Sequence, residues 1–302
     1  MAHALADPWT QSFVQRASLE LALLGIVGSA LGCWVLFYEL SYGAESLAHS
    51  LFPGLVLAAL AGIPLVLGAA GGVLVAAAAI AVFGRTPEIG RDTAIAVVIT
   101  TLFGLGVLLA LATASPPGLN ELLFGDLLGV SGTDLAIAAG LSVIVLTSLV
   151  LLHRQLLAVG FDRANAAAFG ARPVFVDLAL LGLLAAAIVI GVQGLGNLLI
   201  LAVLVGPAAT ARVVTRRLLP MMSLAAVIAI ACGAGGLYLS YYAETAGGAS
   251  VAAVTLAVYL GVRLAAAVRQ TSVANRFFAN SRKRARSASL SLIHISEPTR
   301  RS

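Results

Sequence analysis

A carboxylate and an imidazole stand four residues apart in a segment that is otherwise apolar or small. Glu45 and His49 at this spacing share one face of a helix, so both side chains could reach the same ion. Carboxylate oxygen and imidazole nitrogen are ligands that divalent transition metals accept. The spacing alone leaves two interpretations open, which are a metal site and a polar pair that caps or lines the end of a helix.

The elements that must position these two residues are apolar. Of the 302 residues, 60% are hydrophobic and only 10% are charged, and the mean hydropathy is +1.03. A soluble domain is closer to half apolar and a quarter charged. Runs of Leu, Ala, Val and Gly extend over about 20 residues without the alternation of a barrel, and helices satisfy their own backbone in lipid. The sequence therefore predicts an all-α, polytopic transmembrane helical bundle.

Breaks in the apolar pattern divide this bundle into nine predicted spans, with eight as the alternative. The spans are 17–37, 47–62, 65–83, 93–114, 134–152, 174–190, 195–211, 221–242 and 251–268. The breaks at 62–64 and 191–194 are slight, and each is either a turn between two spans or a kink in one longer helix.

Basic residues indicate the orientation of the spans. They cluster in the loops around 85–91, 154–172 and 212–217 and in the tail, whereas acidic residues lie in the loop 115–133 and at Glu244. The positive-inside rule then places the N-terminus outside and the C-terminus in the cytoplasm, which requires an odd number of spans and favours nine.

Three regions follow from this organisation: an N-terminal extension (1–16), a transmembrane domain (17–268) and a basic cytoplasmic tail (269–302). We expect the tail to be disordered, and its last part, 287–302, has the character of a non-native addition. From Arg263 onward there are nine basic residues and one acidic residue, so the pI of 9.7 is a property of the tail. The sequence accordingly predicts contact with membrane lipid and no nucleic-acid partner.

The motifs argue against two enzymatic functions, because an ATPase is excluded and an intramembrane serine protease is poorly supported. A phosphate-binding loop needs a lysine, and the one lysine of this chain, Lys283, stands in the tail without neighbouring glycines. No Gly-x-Ser-x-Gly elbow of a serine hydrolase occurs. Cys33 and Cys232 lie far apart in apolar runs and are interpreted as small core residues. The chain is therefore not expected to be an enzyme.

Four motifs, in order along the chain, resemble those of the permeases of zinc/manganese/iron ATP-binding-cassette importers. The segment 43–54 is similar to the family pattern G-D-A-L-S-H-A-x-x-P-G. The others are Asp-Thr-Ala-Ile at 92–95, Leu-Leu-Phe-Gly-Asp-Leu-Leu-Gly-Val at 122–130 and Gly-Pro-Ala-Ala-Thr-Ala-Arg at 206–212. The likeness covers 19–261 and implies the fold of vitamin B12 and siderophore permeases.

The resemblance implies that Glu45 and His49 coordinate a transported divalent metal, Zn, Mn or Fe, with no permanently bound cofactor. Glu45 stands where the family has Asp, which leaves an oxygen ligand on a longer side chain. A homodimer would bring two carboxylates and two imidazoles together. The implied partners are a second copy of the chain, a cytoplasmic ABC ATPase and an extracytoplasmic solute-binding protein, in a bacterial inner membrane.

A second segment, 161–171, resembles the family pattern F-D-x-x-x-A-x-x-x-G. The matching residues are Phe161, Asp162, Ala166 and Gly170, and Ala167 follows in the same Ala-rich stretch. We expect a short helix ended by Gly170 that seats in a groove of the ATPase, with an ordinary interfacial helix as the alternative.

Other polar residues and other functions remain open at this point. Asp92 and Asp134 are expected to cap helices. Asp126 is expected in an outer loop, where contact with metal or with a binding protein is the less favoured interpretation. The alternative functions are an ABC permease for a siderophore, haem or cobalamin, an ion-gradient-driven secondary transporter, and a structural membrane subunit. No inverted repeat or excess of intramembrane carboxylates, the marks of a secondary transporter, is visible in the sequence.

Overall fold

The computed structural model describes residues 11–83, 91–112 and 125–269. The chain divides into two units, Met1–Tyr259 and Leu260–Ser302, and the described part of the second is the end of one helix. All regular structure in the described residues is helical. The predicted all-α class is thus confirmed.

Nine α-helices lie in the described residues, one for each predicted span. They are α1 (Ser12–Phe37), α2 (Ser41–Ala61), α3 (Leu65–Phe83), α4 (Arg91–Leu111), α5 (Gly132–Phe161), α6 (Pro173–Leu195), α7 (Ile200–Val214), α8 (Leu218–Ala243) and α9 (Gly247–Arg269). Within the described residues six of them, α1, α2, α5, α6, α8 and α9, are long and apolar enough to cross a membrane.

The first unit is organised around α1, which packs against α5, α6, α7 and α8. Leu31 and Trp34 of α1 are fully buried, as is Ala17 near its start. Burial on this scale is expected of a helix that is apolar on all sides and surrounded by other helices. The C-terminal end of α1 is thereby held at a fixed place in the unit.

One of the two slight breaks in the sequence is a turn, as predicted. The helix α2 ends at Ala61, Gly62 adopts a left-handed conformation with φ +66°, and α3 begins at Leu65. Glycine is the residue that takes this conformation without a steric penalty. Pro64 follows two residues later, as expected just beyond a helix end.

The predicted break at 191–194 is wrong, because α6 continues through it to Leu195 and the chain turns at Gly196, with φ +75°. Gly191 instead provides space for the side chain of Ile200, and Gly194 for the carboxyl group of Glu20. Glycines in membrane helices often allow such close packing, and the sequence does not distinguish this use from a turn. The helix α7 that follows has only 15 residues, so it is shorter than the roughly 20 residues that cross a bilayer.

The helices α2 and α3 form a tightly packed hairpin. A Cβ at Gly54 would overlap the backbone carbonyl of Gly68, and a Cβ at Gly68 would overlap that of Gly54. Gly72 approaches the carbonyl oxygen of Ser50, where an added Cβ would lie 2.6 Å away. Small residues let membrane helices approach this closely. The hairpin therefore fixes α2, which carries the candidate ligands, by backbone contact.

The start of α5 corrects the expectation for Asp134. Ser131 is the N-cap residue, and its hydroxyl accepts a hydrogen bond from the Asp134 amide at 3.2 Å. Asp134 returns the interaction by accepting from the Ser131 amide at 3.1 Å. This is a capping box, in which the acidic residue occupies the third helical position. Asp134 thus stabilises the helix start, although not as its N-cap.

Candidate metal centre

Glu45 and His49 lie near the start of α2, on one face of the helix. The distance between His49 Nε2 and Glu45 Oε1 is 3.9 Å, and the exposed fractions of the two side chains are 25% and 58% respectively. The alanines at 44 and 48 are fully buried on the other side. The helix therefore presents an oxygen and a nitrogen ligand outward from a buried base, as the spacing predicted.

The chain reaches this position through a sharp reversal after α1. Glu39 has a left-handed backbone with φ +57°, and the amide of Leu40 donates to the carbonyl of Val35 at 2.8 Å. A residue other than glycine in this conformation costs roughly 1–2 kcal/mol. The hydrogen bond closes the turn and allows α2 to begin at Ser41, so the candidate ligands follow closely on the end of α1.

The imidazole of His49 is oriented by a phenylalanine of a neighbouring helix. The ring centroids of His49 and Phe103, on α4, are 4.4 Å apart. Phe103 also contacts Phe52 at 5.5 Å, and a Cβ added to Gly106 would meet the Phe52 ring. These contacts restrict the imidazole plane, so Nε2 stays on the side of Glu45. The sequence contained no signal for Phe103, because a lone aromatic residue in an apolar span is most often only packing.

Two further features make His49 unusual. Its Nδ1 atom is buried and has no hydrogen-bond partner. Pro53 stands inside α2, four residues later, where it cannot donate the usual helical hydrogen bond to the carbonyl oxygen of His49. Within the described residues His49 Nδ1 is therefore a buried polar atom without a hydrogen bond, whereas buried polar groups are normally hydrogen-bonded.

A single chain does not complete this site within the described residues. No group of three or more His, Cys, Asp or Glu side chains that could hold a metal ion occurs in 11–83, 91–112 and 125–269. Asp126 accepts a hydrogen bond from the Gly129 amide at 3.0 Å in its own loop, and the Asp92 side chain lies outside the described residues. Among the described residues, one chain thus brings two candidate ligands, Glu45 and His49, to one place.

The predicted short helix after α5 is a 3₁₀ turn, Ala166–Phe169, ended by Gly170 with φ +76°. Asp162 accepts hydrogen bonds from the Asn165 amide at 3.1 Å and from its side chain at 2.7 Å. These hydrogen bonds, the side-chain one above all, lower the pKa of Asp162. Ala166 is buried, whereas Ala167 is exposed. The turn therefore presents a small, rigid surface with Ala167 on its outer side.

An ion pair joins this loop to α6. Arg163 donates to both carboxylate oxygens of Asp177, and the Nη1–Oδ1 distance is 3.1 Å. The carboxylate raises the pKa of Arg163, which is charged in any case. An exposed pair contributes at most about 1 kcal/mol. The ion pair is bidentate, and this geometry fixes the direction of the loop relative to α6.

An aromatic cluster connects the same loop to the end of α1. It consists of Trp34, Phe37, Tyr38, His153 and Phe161. The rings of Phe37 and Phe161 are 5.1 Å apart in an edge-to-face arrangement. The Tyr38 hydroxyl donates to the Leu156 carbonyl at 2.7 Å, and burial raises the pKa of Tyr38 to about 12, so this donor stays protonated. Sequence reasoning missed the cluster, because its members come from two distant segments.

Gly160 shows how closely the two elements approach. A Cβ at this position would overlap the ring of Phe37 and lie 3.1 Å from that of Tyr38. Tyr38 is separated from the first residue of α2 by only two residues. A displacement of the loop after α5 can therefore reach the helix that carries Glu45 and His49 through ring contacts and a very short link.

Comparison with known proteins agrees with this architecture. The family model of the ABC 3 transport family matches residues 10–266. The chain is 30% identical over 248 residues to the manganese transport system membrane protein MntC of Listeria monocytogenes, covering 82% of this chain and 89% of the relative. It is 28% identical over 244 residues to the chelated iron transport system membrane protein YfeD of Yersinia pestis, covering 81% and 82% respectively.

One solved structure contains a chain that is similar to this protein over nearly the whole length of that chain. The structure of PsaBC from Streptococcus pneumoniae in complex with Fab contains a chain that matches with a TM-score of 0.81 and 29% identity. The match covers 87% of this chain and 95% of that one. The predicted fold and the resemblance drawn from four motifs are confirmed, and the chain belongs to the ABC 3 transport family.

Proposed function

We propose that this chain is the membrane-spanning permease subunit of an ATP-driven importer that moves a divalent metal ion, Mn, Fe or Zn, across the bacterial inner membrane. The observation that carries the proposal is the Glu45–His49 pair, 3.9 Å apart on a helix long and apolar enough to cross a membrane. Relatives named for manganese and chelated iron support a metal ion as the cargo.

The transported ion is bound between two copies of the chain. Zn²⁺ takes four ligands in most protein sites, and Mn²⁺ and Fe²⁺ take more, whereas one chain brings two side chains together. A two-fold axis beside α2 would supply two carboxylates and two imidazoles. The large exposed fraction of Glu45 is consistent with a ligand that waits for a second subunit or for the ion.

A separate ATPase drives transport through the loop after α5. Ala167 and the 3₁₀ turn provide a small surface whose shape is fixed by Asp162, Gly170 and the ion pair to α6. Phe161 begins this segment and contacts Phe37. Closure of two ATPase subunits would move the loop, and the aromatic cluster would pass this movement to α2, which is a form of alternating access.

The orientation is N-terminus outside and C-terminus in the cytoplasm, with delivery of the ion by an extracytoplasmic solute-binding protein. The basic loops support this orientation. Both native cysteines are buried, so thiols introduced by Ala246→Cys and Arg216→Cys can be distinguished by an impermeant reagent. Ala246→Cys should react from outside and Arg216→Cys should not, and the reverse pattern would exclude the orientation.

The proposal is tested by replacing each ligand and measuring metal uptake. Glu45→Ala and His49→Ala should each abolish uptake of Mn²⁺ at matched expression. In the dimer, each substitution removes two of the four proposed ligands, and the remaining two do not hold the ion in transit. Ser46→Ala, in the same turn of α2, is the matched control and should transport normally. Near-normal uptake in both ligand variants would falsify the assignment.

A further inference from the structure

A second ionisable group, Glu20, lies inside the bundle. Glu20 is the ninth residue of α1, only 2% of it is exposed, and its Oε2 atom is buried without a hydrogen-bond partner. In the part of the chain that the structure describes, no basic side chain forms an ion pair with it. The proposed transport mechanism makes no use of this residue. Glu20 therefore needs a physical explanation of its own.

The groups that face Glu20 are unfavourable to a negative charge. A Cβ at Gly194, in the last turn of α6, would lie 2.9 Å from Glu20 Oε1, so the carboxyl group rests against the C-terminal end of that helix. The C-terminal end of a helix carries a partial negative charge. From α5, the carboxylate of Asp134 acts on Glu20 as a like charge. Neither neighbour can balance a carboxylate.

The other helices that pack against α1 carry their described charged groups elsewhere. Arg212 of α7 donates to the carbonyl of Leu36, near the far end of α1. On α8, Tyr241 contacts Gln11, just before the first residue of α1, at 3.5 Å. Asp177 lies near the start of α6, whereas Glu20 lies against its last turn. On α1 itself, Arg16 stands four residues before Glu20 and forms no ion pair with it in the described residues, so the charged group that acts on Glu20 is Asp134.

Asn197 supplies an independent observation at the same end of α6. It lies in the turn between α6 and α7, only 1% of it is exposed, and neither its Oδ1 nor its Nδ2 has a hydrogen-bond partner. Gly125 packs directly against this turn, because a Cβ at Gly125 would overlap the carbonyl oxygen of Gly194. Two fully buried polar side chains, both with unsatisfied atoms, thus lie at one helix end.

An isolated buried carboxylate costs several kcal/mol, so Glu20 needs either a metal ion beside it or a proton on it. A metal ion would need further ligands, and no cluster of three or more His, Cys, Asp or Glu occurs in the described residues. A proton needs only one oxygen, and the resulting neutral carboxyl group gains a donor. We propose that Glu20 is a proton-binding site, held as a neutral carboxyl group against the last turn of α6.

Proton binding couples this packing to pH. In the packed state Glu20 holds its proton, whereas a Glu20 that reaches water through separation of α1 from α6 releases it at neutral pH. The packed state binds more protons, so its stability is highest at low pH and decreases as pH rises. This property does not depend on which ion the permease transports or on its partners.

The test is difference infrared spectroscopy of the full chain in lipid nanodiscs. The spectrum of the wild type minus that of Glu20→Gln, which has the shape of the neutral acid, should contain the C=O stretching band of a protonated carboxyl group, shifted in D₂O. Ser29→Ala, another buried and unpartnered polar residue of α1, is the control and should leave the band in place. Appearance of a carboxylate band in place of the carboxyl band would overturn the proposal.

Two measurements on the same samples keep the proposal falsifiable if a variant folds poorly. The carboxyl band of the wild type should persist when MnCl₂ is added, and its loss would identify the cation as a metal ion and contradict the proposal. The Tm of the wild type should decrease with rising pH more steeply than that of Glu20→Gln. Equal dependence of Tm on pH in the two proteins would also contradict it.

Discussion

Two carboxylates, one at each end of the helix bundle, differ in their exposure and in their neighbours. Near the start of α2, Glu45 is 58% exposed and stands beside an imidazole. Near the end of α6, Glu20 is 2% exposed, and in the described part of the chain neither its Oε2 atom nor the Asn197 side chain has a hydrogen-bond partner. The first arrangement suits an ion that enters and leaves, because the ligands are accessible and incomplete. The second suits a proton that remains in place while the helices are packed.

The difference also predicts which property each end controls. The end with α2, the aromatic cluster and the loop after α5 is linked by ring contacts and hydrogen bonds that can be displaced together. The end with Glu20 is sealed by close backbone approaches at Gly125 and Gly194. Substitutions at the α2 end should therefore change transport, whereas those at the Glu20 end should change stability alone.

The largest effect is expected from the hairpin of α2 and α3, which supports Glu45 and His49. Gly68→Ala places a Cβ where the Gly54 carbonyl and the Ala58 side chain already lie, and backbone atoms cannot yield as a flexible side chain can. Overpacking of this kind costs about 1–3 kcal/mol. The helices α2 and α3 must separate, so both Tm and Mn²⁺ uptake should decrease.

Gly71→Ala is the matched control, because nothing lies within 4 Å of a Cβ at that position of the same helix. It should behave like the wild type. Equal behaviour of the two variants would show that the hairpin does not hold the site.

An intermediate effect is expected from the ring contact between α1 and the loop. Phe37→Leu keeps an apolar side chain but removes the edge-to-face contact with Phe161, and such a ring pair contributes about 0.5–1.5 kcal/mol. We expect ATP hydrolysis by the assembled transporter to continue while Mn²⁺ uptake per ATP falls severalfold. Phe13→Leu, at the exposed start of α1, should keep the ratio. An unchanged ratio in Phe37→Leu would remove the cluster from the coupling path.

The exposed surface of the loop after α5 allows a third comparison, between two positions of that loop. Ala167→Arg adds bulk and charge on the exposed side of the 3₁₀ turn and should prevent co-purification of the ATPase, with transport lost and the Tm of the chain retained. Ala164→Arg makes the same change just before the turn and should have a smaller effect. Retention of both partner and transport in Ala167→Arg would assign docking to another cytoplasmic loop.

The smallest effect is expected from the residue that organises this loop. Hydrogen bonds with Asn165 lower the pKa of Asp162. Asp162 therefore orders the loop at pH values above the ordinary pKa of an aspartate, and this order is lost as pH falls through the lowered pKa. Asp162→Asn should increase hydrogen exchange at the Asn165 amide at neutral pH with little change in Tm. Unchanged exchange at neutral pH would show that Asp162 does not hold the loop.

Much of the fold followed from the sequence because lipid imposes a simple pattern. Apolar runs predicted nine helices, and the spacing of Glu45 and His49 predicted one shared face. The position of the turn after α6 was not predictable, since a glycine in a membrane helix serves a turn or a close contact equally well. Phe103 and the surroundings of Glu20 also required the structure, because contacts between distant segments leave no local signal.

The central claim, that Glu45 and His49 bind the transported ion between two chains, is tested most directly by electron paramagnetic resonance of Mn²⁺ bound to the full chain in nanodiscs. The proposal predicts one ion for two chains, with hyperfine coupling to imidazole nitrogen that disappears in His49→Ala. Bound Mn²⁺ without nitrogen coupling, or one ion for each chain with His49→Ala unchanged, would contradict it.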